Sequence, residues 1–390
     1  MLVELYKDSP VGQLVPIHGY DPRAGRDYDH VAFVPDPLPD AVDLSPTTWQ
    51  HVTAAAHALG RLDQAGLQVP NPSLLRRPAI RREAQSTSAL EGTHAAFSDV
   101  VEADVEDVPP ASPALREVLN YVRVAEAAYE WIAYRPLSLQ MLAELQERLV
   151  AGTRGESDDA GGVRQRQVII GPEACSVQDA RFVPPPPGDL LVAGVREWEA
   201  WVNRTHPMPT VVKAALAHYQ FETLHPFSDG NGRLGRLIVV LQFLRGGEIH
   251  EALLTVSPWL EARRREYQDH LSLVSQTGDF DAWVSFFSRA IGAQADRSCR
   301  QVEELLSFQA ELKNRLQAAR SSGVVIPLAE NLIGQPIITP TWAADRFNVT
   351  YPAANSAIKR LVGMGVLREM TGRAYARRFV SDQVLEILER

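Results

Sequence analysis

The stretch HPFSDGNGRLGR, at residues 225–236, is the most informative part of this 390-residue chain and decides its fold. Pro226 ends a preceding helix, because proline lacks the N–H that helix continuation needs. Gly230 and Gly232 permit tight turns and a close approach of main-chain N–H groups to a ligand. Residues 233–245 are nearly all apolar after two arginines and predict a buried helix. A glycine-rich turn that leads into a helix N-terminus predicts an anion site.

The charged side chains of the same stretch fit phosphate chemistry. Arg233 and Arg236 lie three residues apart on the first turn and could clamp phosphate oxygens. Asp229 is a hard oxygen ligand suited to Mg²⁺ that is held jointly with phosphates. His225 is a candidate general base, since histidine has a reference pKa of about 6.5. Each feature alone is usually structural, but together they predict phosphoryl or nucleotidyl transfer.

The string resembles the Fic motif, His-x-Phe-x-Asp/Glu-Gly-Asn-Gly-Arg-x-x-Arg, and fills every specified position. The resemblance implies a protein adenylyltransferase, in which His225 deprotonates a hydroxyl that attacks the α-phosphate of ATP and accepts AMP. It implies that Asp229 holds Mg²⁺ and that Phe227 anchors the loop. The resemblance places the phosphates of ATP at Gly230, Asn231, Gly232, Arg233 and Arg236. Relatives that phosphorylate carry Lys in place of Gly232, so this glycine favours AMP transfer.

A second stretch, EAQSTSALEGT at residues 83–93, predicts the end of a helix. Thr87 and Glu91 are four residues apart and share one helix face, and Gly92 suits a C-cap. Alone, this pattern indicates a capped surface helix. Beside the Fic motif it resembles the family's inhibitory helix, Ser/Thr-x-x-x-Glu-Gly/Asn. The resemblance implies autoinhibition, in which Glu91 pairs with Arg236 and occupies the arginine that the γ-phosphate needs.

Residues 162–171 are rich in Val and Ile between glycines and predict a β-hairpin. The segment resembles the family's flap beside the active site. Its residues Val168, Ile169 and Ile170 could pair with an extended target segment by strand addition. A plain surface hairpin is the alternative interpretation.

The chain as a whole predicts a mainly α-helical fold with four parts. Residues 1–110 form an N-terminal arm, irregular over its first 45 residues, and regulatory helices. Residues 111–320 form a helical catalytic core of Fic type with the short hairpin flap, and residues 321–336 form a linker. Residues 337–390 show the order helix, turn, helix, hairpin, which predicts a winged helix.

Basic charge is concentrated in this C-terminal part. The chain has 39 basic and 48 acidic residues and a net charge of −9, yet residues 340–379 carry a local charge of +5. The basic residues there are Arg346, Lys359, Arg360, Arg368, Arg373, Arg377 and Arg378. They could bind DNA phosphates, with Asn355 at a base edge. Winged helices also dock proteins or form homodimers, so DNA binding and docking both stay open.

Two alternative functions accompany the adenylyltransferase hypothesis. One is a DNA-binding regulator whose Fic core senses a nucleotide, although a sensor does not need the intact His225, Asp229 and Arg236. The other is a Fic enzyme that uses another nucleotide or a diphosphate ester as donor.

The cysteine content and the hydropathy of the chain indicate the cellular compartment of the protein. Cys175 and Cys299 are far apart and form neither a disulfide framework nor zinc-binding spacing. Residues 1–10 lack the apolar segment of a signal peptide. The longest apolar run, at 237–241, is far shorter than the roughly 20 residues of a membrane span. We therefore expect a cytoplasmic protein without a membrane partner.

Overall fold

The computed structural model describes residues 1–21, 24–69, 71–103, 105, 110–172, 175–370 and 377–390. The described chain is mainly helical, as predicted, with small antiparallel sheets. It divides into two compact units. The first unit comprises residues 1–58, 123–248 and 259–293, and the second comprises residues 59–122, 249–258 and 294–390. None of the helices in the described ranges is both long and apolar enough to cross a bilayer.

The elements are numbered in chain order. The helices are α1 (Pro46–Leu67), α2 (Ser73–Leu90), α3 (Phe97–Ala103), α4 (Pro113–Trp131), α5 (Leu139–Val150), α6 (Asp189–Asn203), α7 (Thr210–Leu224), α8 (Asn231–Gly246), α9 (Ser257–Glu261), α10 (Arg264–Thr277), α11 (Phe280–Ala318), α12 (Val325–Asn331), α13 (Pro340–Phe347), α14 (Tyr351–Gly363) and α15 (Asp382–Glu389). The strands are β1 (Gly12–Asp21), β2 (Arg26–Pro35), β3 (Ile337–Ile338), β4 (Arg368–Glu369) and β5 (Phe379–Val380).

Helices α7 and α8 form the centre of the first unit and pack against each other. Every residue of α8 from Asn231 to Phe243 is buried, which explains why its sequence after Arg236 is almost entirely apolar. Trp198 of α6 and Trp283 of α11 donate their indole N–H groups to carbonyls of α7, at 2.9 and 2.8 Å. Buried indoles need such acceptors, so both tryptophans fix the position of α7.

The N-terminal arm was predicted to be irregular over its first 45 residues, and this prediction is wrong. Strands β1 and β2 pair along their whole length, from Gly12 opposite Pro35 to Asp21 opposite Arg26. Proline in β1 obscured the pattern, yet both strands of a two-stranded ribbon are edges and tolerate it. Phe33 of β2 is buried and donates its main-chain N–H to the carbonyl of Val183 at 2.9 Å.

The hairpin predicted for the flap is reduced to a single antiparallel bridge. Ile170 and Phe182 exchange two main-chain hydrogen bonds of 2.9 Å each. Val168 and Ile169 lie in irregular, partly exposed chain before this bridge. The ladder stops after Phe182 because residues 184–187 are all proline and offer no N–H donors.

The C-terminal part of the second unit follows the predicted element order. The sheet order is β3-β5-β4, with α13 and α14 between β3 and β4 in sequence. Thr339 caps α13 by accepting the N–H of Trp342 at 3.1 Å. The turn predicted for the wing, residues 371–376, lies outside the described residues, so the winged helix stays a prediction. The predicted linker contains α12, whose Val325, Leu328 and Ala329 are buried.

Candidate active site

His225 ends α7 in a left-handed conformation, with φ 50° and ψ 60°. Its main-chain N–H donates to the carbonyl of Phe221 at 3.0 Å, and Pro226 prevents another helical turn. Its side-chain Nδ1 lies 3.2 Å from the carbonyl oxygen of Glu222. Because a carbonyl oxygen only accepts, this contact places a proton on Nδ1. A neutral ring in this tautomer would present its lone pair at Nε2, as a general base requires.

Arg164, which the sequence did not predict as a site residue, holds the backbone at His225. The side chain is 0% exposed, and its Nε donates to the carbonyl of His225 at 2.8 Å. Its other guanidinium nitrogens donate to the carbonyls of Arg166 and Pro185, at 3.1 and 2.5 Å. Burial lowers the pKa of Arg164 to about 10, although the negative charge of Asp159 acts to raise it. The guanidinium group therefore stays charged at neutral pH. Arg164 therefore ties residues 164–166 and Pro185 to the loop that follows α7.

We expect Arg164→Met to lower the free energy of unfolding by about 3 kcal/mol, because the carbonyls of His225, Arg166 and Pro185 lose a buried charged donor. The loss is measured by urea denaturation. Arg166→Met is the matched control, since the side chain of Arg166 is exposed and should contribute less than about 0.5 kcal/mol. Equal stability of the two variants would contradict this account of Arg164.

The loop between Phe227 and Asn231 is closed by its own side chain. The carboxamide oxygen of Asn231 accepts the main-chain N–H of Phe227 at 2.9 Å, and its nitrogen donates to the Phe227 carbonyl at 2.7 Å. Phe227 is fully buried, as the resemblance implied. Gly230 precedes α8 with φ 87°, a conformation that favours glycine. The side chain of Asn231 thus braces the loop, and its main-chain N–H, with that of Gly232, remains the candidate phosphate donor.

Asp229 and Arg233 form an ion pair at the start of α8. The side chain of Asp229 is 40% exposed, whereas that of Arg233 is 4% exposed. Gln146 donates to the main-chain carbonyl of Asp229 at 3.1 Å. Gly155 approaches so closely that a Cβ there would lie 2.6 Å from Cγ of Asp229. The carboxylate is therefore fixed in place but accessible from one side.

This arrangement fits Mg²⁺ that is carried with a nucleotide. Within the described ranges, no group of three or more His, Cys, Asp or Glu side chains could hold a metal ion. Mg²⁺ commonly takes one or two carboxylates and completes its shell with water and substrate phosphates. Asp229 alone satisfies that requirement on the protein side.

Asp159 connects a neighbouring loop to the motif and was also missed by the sequence analysis. It accepts hydrogen bonds from the hydroxyl groups of Ser228 and Ser157, at 2.8 and 2.6 Å, and from the N–H of Gln165 at 3.2 Å. Burial raises the pKa of Asp159, but these hydrogen bonds outweigh burial and lower it overall. The ionised carboxylate thus fixes Ser228 inside the motif.

His218 lies beneath the motif as a neutral core residue. Its Nδ1 donates to the carbonyl of Gly235 at 3.0 Å, and its Nε2 accepts from the Tyr267 hydroxyl at 2.8 Å. Burial, with a smaller effect from the charge of Arg236, lowers the pKa of His218 to about 3. His218 lies within α7, and His225 lies at the end of the same helix. Because of its lowered pKa, His218 does not compete with His225, the candidate base, at neutral pH.

The predicted inhibitory residues lie in the second unit, whereas Arg236, 2% exposed, belongs to α8 of the first. Thr87 is buried, and Glu91 is exposed at the C-cap of α2. Gly92 follows with φ 86°. The N–H of Gly92 donates to the Ala89 carbonyl and that of Thr93 to the Ser88 carbonyl, at 3.0 and 2.9 Å, which is a Schellman motif. The pairing of Glu91 with Arg236 stays a prediction.

Comparison with known proteins gives two family matches, described as Fic/DOC family N-terminal over residues 49–130 and Fic/DOC family over residues 136–243. The "Protein adenylyltransferase Fic" of Culex quinquefasciatus is 30% identical over 154 residues, which cover 39% of this chain and 27% of that protein. The protein of the same name from Drosophila yakuba is 28% identical over 197 residues, which cover 48% of this chain and 36% of that protein.

Among solved structures, a Fic family protein from Desulfovibrio desulfuricans G20 matches with a TM-score of 0.56 and 20% identity. The match covers 88% of this chain and 98% of that chain, and it supports the fold. This chain, by contrast, spans only 27% and 36% of the length of the two curated relatives. The complete motif at residues 225–236 lies inside the second family match, so residues 49–130 and 136–243 of this chain match the Fic/DOC family.

Proposed function

We propose that the chain is a protein adenylyltransferase, or AMPylator, which transfers AMP from ATP to a hydroxyl side chain of a target protein or of itself. The observation that carries this proposal is the juxtaposition of His225 with the N-terminus of α8 on one braced loop. The names of the matched relatives support the same reaction.

In the proposed reaction, Nε2 of His225 takes the proton of the target hydroxyl. The hydroxyl oxygen then bonds to the α-phosphorus, the bond between the α-phosphorus and the bridging oxygen breaks, and pyrophosphate leaves. Main-chain N–H groups of α8, together with Arg233 and Arg236, would stabilise the negative charge on the phosphates. Mg²⁺ at Asp229 would supply further positive charge beside the phosphates.

Two parts of the proposal concern control and target choice. Glu91 would inhibit by pairing with Arg236, because a carboxylate competes with phosphate for a guanidinium group. Ile170, with Val168 and Ile169, would offer main-chain hydrogen bonds to an extended target segment. A cytoplasmic location fits Cys175 and Cys299, which form no disulfide with each other.

The test compares ATP labelled at the α-phosphate with ATP labelled at the γ-phosphate, using the Glu91→Gly protein. We expect protein-bound label that survives denaturation only from the α-position. Retention of the γ-label would instead identify a kinase. Competition by unlabelled nucleotides in the same assay distinguishes ATP from the alternative donors.

The alternative of a DNA-binding regulator receives little support from the basic residues of the C-terminal part. Arg368 donates two hydrogen bonds of 2.7 Å to Asp382. Arg377 donates to Asn355, the residue proposed to read a base, at 2.7 Å. Arg378 and Arg360 likewise donate to acceptors of the second unit. We infer that docking of a protein, or of a second copy, suits this part better than DNA; salt-dependent retention on DNA would contradict this.

A further inference from the structure

Helix α2, which carries Thr87 and ends at Glu91, is joined to the C-terminal part of the second unit by a buried arginine. Arg81 is 1% exposed. It donates from Nη1 to the carbonyl of Gly334 at 3.1 Å and from Nη2 to Oε1 of Gln335 at 2.7 Å. Hydrogen bonds from a buried guanidinium group are among the stronger ones in proteins, so this junction resists displacement.

Gln335 extends the junction to two more elements. Its carboxamide nitrogen donates to the carbonyl of Val101 in α3 at 3.1 Å and to that of Ile337 in β3 at 2.8 Å. The side-chain oxygen of Gln335 accepts the hydrogen bond from Arg81. The buried amide of Gln335 therefore uses both of its N–H donors and its oxygen acceptor. One side chain therefore connects α2, α3 and the first strand of the C-terminal sheet.

Close backbone packing reinforces this connection. A Cβ added at Gly334 would lie 2.6 Å from the carbonyl oxygen of Leu74, in the first turn of α2. Only glycine permits this approach. Near β5, Arg378 donates to Glu102 of α3 at 2.7 Å, and α15 contacts α2. Residues 334–390, which we call the C-terminal module, thus hold α2 and α3 at several points.

The geometry of α2 makes it a rigid connection between this junction and the inhibitory residue. From Arg81 to Glu91 the chain is helical up to the C-cap, a distance of about 15 Å. Most residues of this stretch are buried, and close-packed interiors transmit strain, so a shift of the helix at Arg81 should carry to Glu91.

We propose that Arg81 and Gln335 are positioning residues through which the C-terminal module holds the inhibitory helix, so that displacement of the module releases inhibition by Glu91. This inference rests on the proposed function. It assigns the C-terminal module a regulatory role in AMP transfer, as the site where an activating partner would act.

The test is Gln335→Leu, which removes three hydrogen bonds at similar side-chain volume. We expect the initial rate of AMP incorporation to rise about three- to tenfold over the otherwise unchanged protein. Amide hydrogens of α2 should exchange faster, while those of α8 should not change. In the Glu91→Gly background, Gln335→Leu should give no further increase, because the inhibitory carboxylate is already absent.

Gln309→Leu is the matched control, since its amide donates to the carbonyl of Glu330 at 3.0 Å, between α11 and α12. Gln335→Met, which is unbranched like glutamine and also lacks the amide, provides a second variant if Gln335→Leu does not fold. An unchanged rate with unchanged α2 exchange, or the same increase in both backgrounds, would overturn the proposal. If Glu91→Gly itself transfers no AMP, the proposed function fails instead, and exchange of α2 still tests the positioning role.

Discussion

His225→Ala, introduced into the Glu91→Gly protein, is expected to reduce AMP transfer about 10²- to 10⁴-fold, the usual contribution of a general base. The loss should fall on kcat, whereas the affinity for ATP should remain, because the phosphates are assigned to α8 and its arginines. Initial rates with α-labelled ATP, together with calorimetric ATP binding, separate the two effects.

His57→Ala is a suitable control for this loss, because His57 is exposed on α1 and belongs to no proposed site. Its rate should equal that of the parent protein. Transfer by His225→Ala within tenfold of the parent rate would show that another group takes the proton. His218 would not replace it, since its pKa is lowered to about 3 and both of its ring nitrogens are hydrogen-bonded.

Glu91→Gly is expected to raise AMP transfer at least about tenfold over the unchanged protein. Tenfold corresponds to about 1.4 kcal/mol, and hydrogen bonds between charged groups exceed that value. The backbone should tolerate the change, because Glu91 is the C-cap of α2, with φ −93° and ψ 6°, rather than an interior residue. Intact mass spectrometry after incubation with Mg-ATP should show the addition of one AMP.

A graded variant and a double variant make this prediction specific. Glu91→Gln keeps the shape of the side chain without its charge, so its rate should lie between those of the parent and Glu91→Gly. Glu91→Gly combined with His225→Ala should gain no mass. If the unchanged protein gains AMP as fast as Glu91→Gly, Glu91 is not inhibitory.

The local parts of the fold could be predicted from the sequence, because their signals lie within a few residues. Buried α8, the helix end at His225 and the positive φ of Gly92 follow from apolar runs, proline and glycine. The family resemblance supplied the roles of the motif residues, and those roles remain proposals.

The contacts that hold the site together could not be predicted, because they join residues far apart in sequence. Arg164 and His225 are separated by 61 positions, and Asp159 and Ser228 by 69. A single arginine in a short, irregular segment is ordinarily solvated, and nothing local indicates that three carbonyls surround it. The β1–β2 hairpin was missed for a different reason, because β1 contains a proline, a residue that is typical of loops.

The closed loop between Phe227 and Asn231 has a thermodynamic consequence for nucleotide binding. Two side-chain hydrogen bonds fix these residues before any ligand arrives. Ordering one residue opposes binding by about 1 to 2 kcal/mol of backbone entropy. In the proposed function, that entropy would already be lost when the protein folds, so a nucleotide would meet a preformed anion site and keep more of its interaction energy as affinity. Folding stability and nucleotide affinity would then be coupled through the amide side chain of Asn231.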